Sequence, residues 1–595
     1  MNLLFSNFKL FCKARLISLC LVFVITGGNV HASDNGFSGQ VLSKEAQERA
    51  FKAIRNAYEA RKSPQHNKTS NKLSSRLQKF SVDSNEPKSS IAADPMLRIK
   101  GTGLVQVYIK LVDVNSGTRA KLENAGVSID LINEELKIAQ GWVDTNDLTT
   151  LSEQNWVEYI KEPSYGRTRV GSRQTEGDAI LRSNILRDRG ITGRGIKVGI
   201  ISDGANNFQQ AVVSGDLPSN VQLFGTCSST FSFFPSAGAC NEGTAMAEII
   251  HDIAPEAELA VGAGAGSSLE FIDVLNSLAN EFEADIIVDD LGFFTEPFFE
   301  DGDIAQAVTN LREDILYFSA AGNDNGTHYE GNFSSVAGIN VDFHDFDPSG
   351  VENIFQGFLI GGGQTGIVIL QWNDPFSNAS TNLDLFVVDI NGELVTASQE
   401  VGPTPIEGVF VSNFGATSTF FSVVIRVSGA SPRIEMFNLG TGDLVFPVAE
   451  DAIFGHPGVP RAIAVAAIDA ADPGNDDAEV FSSRGPSTVF RPFEVRQKPD
   501  LTAIDGVSVT GTGGFPTTFF GTSAAAPHAA AVAALLLSAG PMVTPADVRT
   551  ALTDTAIGGF NNELGFGLIN AELALAELAI GNPLPVILFL LDDDE

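Results

Sequence analysis

The chain has 595 residues, with 73 acidic against 38 basic side chains and a formal net charge of −35 at pH 7. This excess of negative charge argues against nucleic acid or an anionic membrane surface as a partner. Because 43% of the residues are hydrophobic and only 19% are charged, most of the chain has enough apolar surface to fold, and its length favours several domains.

The N-terminus has the pattern of an export signal. Lys9, Lys13 and Arg15 precede an apolar run at 16–26, and a small-residue site ending in Ala32 follows. We interpret residues 1–32 as a signal peptide, which predicts a secreted or periplasmic protein after cleavage. The apolar run, about 11 residues, is shorter than the roughly 20 that span a bilayer, so we expect no stable membrane insertion.

Two cysteines remain after that cleavage, Cys227 and Cys240. In an exported chain we expect them to form a disulfide across the loop 228–239. Two free buried thiols are the alternative.

Residues 33–100 combine a helix and a disordered linker. Helical spacing of alanines predicts the helix at 44–61, and the polar stretch 63–95 predicts the linker. Residues 101–165 then alternate short strands and helices, which predicts a small α+β domain. Its place before the rest of the chain suggests a propeptide that inhibits the mature protein.

An α/β fold is predicted for 178–334 and 451–575. Apolar strands alternate with helical stretches at 195–201, 259–262, 286–289, 316–320 and 462–467. This alternation favours a parallel sheet with helices on both faces. The intervening residues 335–450 contain short strands separated by Gly, Asn and Pro, typical of an inserted all-β sandwich. Residues 576–595 form an acidic C-terminal tail.

The strongest local motif is Gly521-Thr522-Ser523, which opens an alanine-rich run that includes His528. A serine in the first turn of a buried helix lies near unpaired backbone donors and the positive end of the helix dipole. That position suits a nucleophile. The alternative is that Thr522 and Ser523 only cap a core helix.

At four ordered segments the chain resembles the subtilisin-like serine protease superfamily. Residues 197–204 resemble the strand that ends in the family's aspartate, and 320–323 resemble its oxyanion asparagine segment. Residues 481–500 resemble the stretch before the nucleophile, and 521–523 the nucleophile motif. The insertion is similar, through Trp372-Asn373-Asp374 and 383–385, to the pre-peptidase C-terminal β-sandwich of bacterial proteases.

The chain departs from that pattern at the catalytic histidine, where it has Glu242. The resemblance therefore extends to the sedolisins, relatives of the same fold that use a Ser/Glu/Asp arrangement, although their acid one helical turn later is replaced here by Met246. A carboxylate can deprotonate a serine only if burial or a nearby like charge raises its basicity.

Two aspartates are candidates to assist Glu242. Asp290 follows the strand 286–289, and by resemblance it lies beside the base position, where two carboxyl groups would share a proton. Asp203 lies one residue after the position of the family's aspartate, which Ser202 occupies. The alternatives are a strand-end turn or cation site for Asp290 and a loop-capping role for Asp203.

The resemblance also implies an oxyanion donor and a peptide-binding edge. Asn323 would donate its amide to the oxyanion, with a turn asparagine as the alternative. Backbone groups of Leu291-Gly292 and Ala321-Gly322 would hold an extended peptide as an added strand. This predicts polypeptide substrates.

Together these features predict a secreted serine endopeptidase that favours acidic pH, made as a precursor with its own propeptide as inhibitor. The catalytic residues would be Ser523, Glu242, Asp203, Asp290 and Asn323. No metal ligand set is predicted and no cofactor is certain, although the sequence allows a structural calcium ion. The alternative is an inactive subtilisin-like protein that binds a partner through its sandwich.

Overall fold

The structure is a computed structural model that describes residues 42–61, 72–78, 97–100, 103–163, 176–227 and 239–581. The predicted signal peptide, most of the predicted linker, residues 228–238 and the last 14 residues of the acidic tail, 582–595, lie outside this description. Within these ranges, no helix is both long enough and apolar enough to cross a membrane.

The N-terminal part consists of one long helix and a small α+β domain. Its elements are α1 Lys44–Arg61, α2 Ser75–Gln78, β1 Ile99–Lys100, β2 Leu104–Leu111, α3 Thr118–Asn124, β3 Ser128–Asn133, β4 Ile138–Asp144, α4 Leu148–Ser152 and β5 Val157–Lys161. The strands form an antiparallel sheet in the order β1-β2-β4-β3, and β5 pairs with β2. The α+β pattern predicted from the sequence is present in this sheet and its helices.

A nine-stranded sheet forms the centre of the molecule. The elements before the insertion are α5 Gly177–Ile180, α6 Ser183–Asp188, β6 Lys197–Ser202, α7 Phe208–Ser214, β7 Gln222–Phe224, α8 Glu242–Ile253, β8 Glu258–Ala263, α9 Ser268–Asn280, β9 Ile286–Asp289, α10 Asp303–Thr309 and β10 Leu316–Ala320. Successive residues of β6 and β9 face opposite cores, which is why both strands are apolar throughout.

The inserted region consists of two antiparallel sheets. Its strands are β11 His328–Asn332, β12 Ser335–Ala337, β13 Asp342–His344, β14 Gln356–Ile360, β15 Thr365–Trp372, β16 Asn382–Asp389, β17 Leu394–Ser398, β18 Ile406–Ser412, β19 Ser418–Ser428 and β20 Arg433–Leu439. One sheet has the order β11-β20-β15-β18, and the other contains β12-β13-β19-β16-β17 with β14 paired to β19. Apolar side chains of both sheets share one core.

The chain then returns to the central sheet. The remaining elements are β21 Ile463–Asp469, β22 Ser487–Phe490, β23 Phe493–Arg496, β24 Leu501–Asp505, β25 Val507–Ser508, β26 Thr518–Phe519, α11 Thr522–Ser538, α12 Pro545–Asp554, β27 Ile557–Asn561, β28 Gly565–Leu568 and α13 Ala571–Gly581. The sheet order is β27-β28-β24-β21-β10-β9-β6-β8-β7. Its pairs are parallel except at the edge, where β27 is antiparallel to β28.

Helices cover both faces of the central sheet, as the sequence predicts. Helices α8 and α11 belong to the core on one face, and α9 and α10 belong to the core on the other. Helix α11 is apolar around its whole circumference, and its residues from Thr522 to Leu536 are buried. A helix of this kind is stable only inside a protein, which fixes its first turn in the interior.

Two predicted boundaries differ from the structure. The insertion begins near His328 rather than at 335, because β11 pairs along its length with β20. The catalytic part extends beyond 575, because α13 continues to Gly581 and buries Leu575 and Leu578. In both cases the pairing or packing partner is distant in sequence.

An aromatic cluster joins the four-stranded sheet of the insertion to the central domain. The ring of Phe437, which is fully buried on β20, lies 5.3 Å from that of Phe294, 5.1 Å from that of Phe298 and 4.9 Å from that of Phe454. Rings at these separations and tilts pack edge to face. The insertion is therefore anchored through an apolar contact.

We expect Phe437→Ala to lower the free energy of unfolding by about 3–5 kcal/mol, because it leaves a cavity where the two parts meet. Phe414→Ala is the matched control, since Phe414 is 94% exposed and its truncation should change stability by less than about 0.5 kcal/mol. Urea unfolding followed by fluorescence measures both variants. Equal effects of the two substitutions would contradict the anchoring role.

Candidate active site

Polar side chains follow three neighbouring parallel strands where those strands end. Strand β9 lies between β6 and β10, with Asp289 opposite Ile201 on one side and Ser319 on the other. Asp203 follows β6, Asp290 follows β9, and Asn323 comes shortly after β10. Since neighbouring strands are about 4.8 Å apart, these groups lie along one edge of the sheet.

Asp203 holds the start of helix α8 in place. Its Oδ1 accepts a hydrogen bond of 2.9 Å from the backbone N–H of Glu242, and its Oδ2 accepts one of 2.6 Å from that of Cys240. Burial raises the pKa of Asp203 to about 7, although hydrogen bonds from the backbone N–H groups lower it. These contacts match the capping role that the sequence left open, and they make Asp203 a positioning residue for the turn that carries Glu242.

The disulfide expected from the sequence joins Cys227 to Cys240, whose Cα atoms are 5.6 Å apart. Cys240 lies two residues before Glu242 and has a positive φ of 69°. The bridge and the Asp203 contacts therefore restrain the same turn.

The side chains of Glu242 and Asp290 form a buried carboxyl pair. They are hydrogen-bonded to each other, and Asp290 also accepts a hydrogen bond of 3.1 Å from the hydroxyl of Ser202. Glu242 is 2% exposed and Asp290 is fully buried. Burial raises the pKa of Asp290 well above its ordinary value, and the nearby charges of Asp203 and Asp289 raise it further. Such a pair holds a proton that its members share.

Asp289, the neighbour of Asp290, has its own partners. Its Oδ1 lies 2.8 Å from Nε2 of His456, and its Oδ2 accepts a hydrogen bond of 2.7 Å from the hydroxyl of Tyr317. All three side chains are buried. The role of His456 was not predictable from the sequence, because His456 lies far from β9 in the chain and belongs to none of the motifs described above.

Ser523 lies in the first turn of α11 and is fully buried. Gly521, with a φ of 98°, makes the turn before it, and its N–H donates a 2.7 Å hydrogen bond to Asp505. Helix α11 packs against α8, β9 and β10. The first turns of α8 and α11 are thus both held at the ends of adjacent strands, α8 through Asp290 and α11 through the loop after β10.

Thr522 fixes the amide of Asn323. The Oδ1 atom of Asn323 accepts hydrogen bonds from the backbone N–H of Thr522 at 3.0 Å and from its hydroxyl at 2.9 Å. Because both hydrogen bonds are to Oδ1, the orientation of the Asn323 amide is determined. Its Nδ2 donor therefore lies on the side of the amide away from Thr522. These roles of Thr522 and Asp505 were not predicted from the sequence, although both residues lie within or near the segment that contains Ser523.

At three of the four residues of the predicted peptide-binding edge, backbone groups have partners inside the protein, and their role in peptide binding stays a prediction. The N–H of Ala321 donates to Val465, that of Leu291 donates to the Asp289 side chain, and that of Gly322 donates to the Thr522 hydroxyl. The carbonyl of Gly322 also accepts a hydrogen bond, from Ser483. These groups are used inside the protein because the turns at the strand ends need partners. Gly292 remains a prediction.

His528 is held by a hydrogen bond of 2.7 Å between its Nδ1 and the carbonyl of Ala524, which agrees with a structural role. Among the described residues, the carboxylates of Asp472, Asp476 and Asp477 form a group whose oxygens lie within 4.8 Å of one another. Oxygen ligands of this kind suit calcium. The group is mostly exposed and follows strand β21.

Comparison with known proteins places this site in a class. Residues 447–567 match the Peptidase_S8 model, the subtilase family. The matched segment includes Asp505, Thr522 and Ser523. It supports a serine-type, subtilase-like peptidase.

Two solved structures are similar to this chain. The CspB protease of Clostridium perfringens is 17% identical, with a TM-score of 0.46, and the match covers 67% of this chain and 98% of that one. Fervidolysin from Fervidobacterium pennivorans, a keratinolytic enzyme related to subtilisin, is 14% identical, with a TM-score of 0.41, and the match covers 82% of this chain and 63% of that one.

Buried carboxyl groups with raised pKa values predict that the protein loses stability as the pH rises. Burial raises the pKa of Asp203 to about 7 and those of Asp505 and Glu330 to about 8. The folded state therefore holds protons that the unfolded chain releases near pH 4, and this stabilisation is lost as the pH approaches the folded values. Histidines with lowered pKa values oppose this trend near pH 6.5, because the unfolded chain still binds protons at them, and above about pH 7.5 they are largely neutral in both states.

We expect the melting temperature to fall from pH 7.5 to pH 8.5, and to fall less steeply in Asp505→Asn. Differential scanning calorimetry at constant ionic strength measures both slopes. A melting temperature that is flat or rises over this range would contradict the assignment.

Proposed function

We propose that this chain is an exported serine endopeptidase in which Glu242, paired with Asp290, serves as the general base for Ser523. The observation that carries the proposal is the buried hydrogen-bonded pair of carboxyl groups at the start of α8. A mechanism with a histidine in place of Glu242 would not need the additional carboxyl group of Asp290. Two carboxyl groups that share one proton supply both a proton acceptor and a neutral partner.

The raised pKa of one member of the pair supports separate roles for Asp290 as the neutral partner and Glu242 as the proton acceptor. Burial and the nearby charges of Asp203 and Asp289 raise the pKa of Asp290 well above its ordinary value, which favours retention of a proton on the pair. In the proposed active form the shared proton lies on Asp290, so that the carboxylate of Glu242 can accept the hydroxyl proton of Ser523. The groups that set the charge around the pair are Asp203 after β6, Asp289 on β9 and its partner His456.

In the proposed reaction, Oγ of Ser523 attacks the peptide carbonyl carbon while its proton passes to Glu242. When the tetrahedral intermediate collapses, the C–N bond breaks and the leaving amine takes that proton. Water then attacks the acyl-enzyme, with Glu242 again accepting a proton and returning it to Ser523. No net proton is gained or lost by the enzyme.

The amide of Asn323 is the proposed oxyanion donor. Thr522 engages its oxygen on one side, so the Nδ2 donor is pre-oriented before substrate binds. A pre-organised donor costs no reorientation during the reaction, and removing one such donor typically costs about 2.7–4 kcal/mol of the activation barrier.

An acidic optimum and maturation of a precursor are part of the same proposal. A carboxylate base operates at a lower pH than an imidazole, and the protein is expected to be more stable below pH 7 than above it because Asp203 and Asp505 are then protonated. The export signal at 1–32 and the separate α+β domain support a secreted precursor whose N-terminal part is removed.

We expect Ser523→Ala and Glu242→Gln each to reduce hydrolysis of an unfolded polypeptide by at least about 10³-fold. The first substitution removes the proposed nucleophile, and the second removes the proposed proton acceptor. The measurement is kcat/KM from pH 4 to pH 8, together with labelling of Ser523 by a fluorophosphonate. Wild-type activity should peak below pH 7.

Gln306→Glu is the control, since Gln306 is an exposed residue of α10 whose side-chain amide donates a hydrogen bond to the carbonyl of Asp301. It should leave the activity unchanged. Full activity in Glu242→Gln would refute the base assignment. Absence of both activity and labelling in the wild-type protein would favour the alternative of an inactive protein that binds a partner.

A further inference from the structure

The N-terminal helix α1 lies on the outer face of the six-stranded sheet of the insertion. Leu42, Ala46, Ala50 and Ile54 form a stripe four residues apart, and each is at most 5% exposed. They pack in one cluster with Phe386, Val388, Phe421, Val423 and Ile425 from β16 and β19. Strand β16 is therefore buried on both faces, with Leu385 and Val387 in the sandwich core and their neighbours under α1.

The contact is close and specific. A Cβ atom on Gly392, in the turn between β16 and β17, would lie 1.8 Å from the carbonyl oxygen of Ala46. Arg49 donates a hydrogen bond of 2.8 Å to the carbonyl of Asn391 in the same turn. The ring of Phe51 lies 5.5 Å from that of Phe343 at an angle of 88°. Small residues on both sides thus let the helix backbone touch the sheet turn.

The α+β domain of the N-terminal part is held at a different place. The hydroxyl of Tyr108 on β2 accepts a hydrogen bond of 2.7 Å from the N–H of Leu269, at the start of α9. Gln140 on β4 accepts a hydrogen bond of 2.7 Å from the hydroxyl of Ser267 and donates one of 2.9 Å to Glu270. The partners of Tyr108 and Gln140 in these hydrogen bonds all belong to the central domain.

We propose that the insertion is the second docking site for the chain's own N-terminal segment, so that residues 42–163 remain bound at two places after the chain is cut before residue 176. The two docked parts are separated by the ten positions 62–71. A connection of that length spans at most about 36 Å. It keeps each part at an effective concentration on the order of millimolar while the other is bound.

The occupant of the apolar face is thus α1 of the same chain. Without it, the face would expose Phe386, Phe421 and their neighbours to water, which is unfavourable for an exported protein. The proposal rests on the proposed function only for the statement that maturation cuts the chain in this region. The docking itself does not depend on catalysis.

The test uses the full chain with Ser523→Ala and a recognition sequence for a specific protease placed between residues 163 and 176. After the cut, the N-terminal fragment is labelled at its N-terminus, and its dissociation from the immobilised body is followed by fluorescence. The fragment should remain bound through size-exclusion chromatography. Ala50→Glu should increase its dissociation rate about 100-fold, because a charge in the apolar contact removes one of two linked sites.

Asn56→Glu is the matched control, since it places the same side chain on an exposed position of the same helix. It should leave the rate within about twofold of the unsubstituted protein. Gly392→Asn tests the part of the contact that the sheet contributes, the turn between β16 and β17. Asparagine tolerates a positive φ, but its Cβ would collide with Ala46. The melting temperature of the uncut protein checks that the sandwich is folded.

Equal dissociation rates for Ala50→Glu and Asn56→Glu would overturn the proposal, as would immediate release of the unsubstituted fragment. Because Ser523→Ala is present throughout and the cut is made by an added protease, neither result depends on peptidase activity. Failure of the proposed function would instead appear as inactivity of the wild-type protein with docking intact.

Discussion

The burial of two carboxyl groups against each other is the interaction on which this account depends. Glu242 and Asp290 are almost completely removed from water and are hydrogen-bonded to each other. Two negative charges so close together in a buried site would repel strongly, so the pair retains a proton. The protein must therefore hold the first turn of α8 and the end of β9 in a fixed relation.

Several separate contacts meet that requirement. Asp203 binds the backbone at the start of α8, the disulfide at Cys240 restrains the same turn, and Ser202 donates to Asp290. On the other side, Thr522 ties the start of α11 to Asn323 at the end of β10. Ser523 and Glu242 are thus carried by helices whose first turns are fastened to adjacent strands.

Much of the fold follows from local patterns in the sequence. The apolar strands at 286–289 and 316–320 occur in the structure at the predicted residues, because a strand buried on both faces has little freedom in its composition. Helix α1 also matches its prediction at 44–61. The docking of that helix on β16 could not be predicted, since both surfaces are ordinary apolar faces until the chain brings them together.

The candidate site was predictable only in part. Ser523 and Glu242 lie in segments with a recognisable motif, and the proximity of Asp290 to Glu242 was implied by the family resemblance. The contact between Asp289 and His456 was not predictable, because His456 lies 167 positions away in the sequence. Likewise, the use of the Ala321 and Gly322 N–H groups inside the protein depends on Val465 and Thr522, which no local pattern connects to them.

The protonation of the carboxyl pair can be measured directly by infrared difference spectroscopy at neutral pH. The spectrum of the Ser523→Ala protein minus that of the same protein carrying Asp290→Asn isolates the contribution of Asp290. The account predicts a positive C=O stretching band of a protonated, hydrogen-bonded carboxyl group, which shifts in deuterium oxide. A difference spectrum that contains only carboxylate bands would show that Asp290 is ionised and would contradict the central claim.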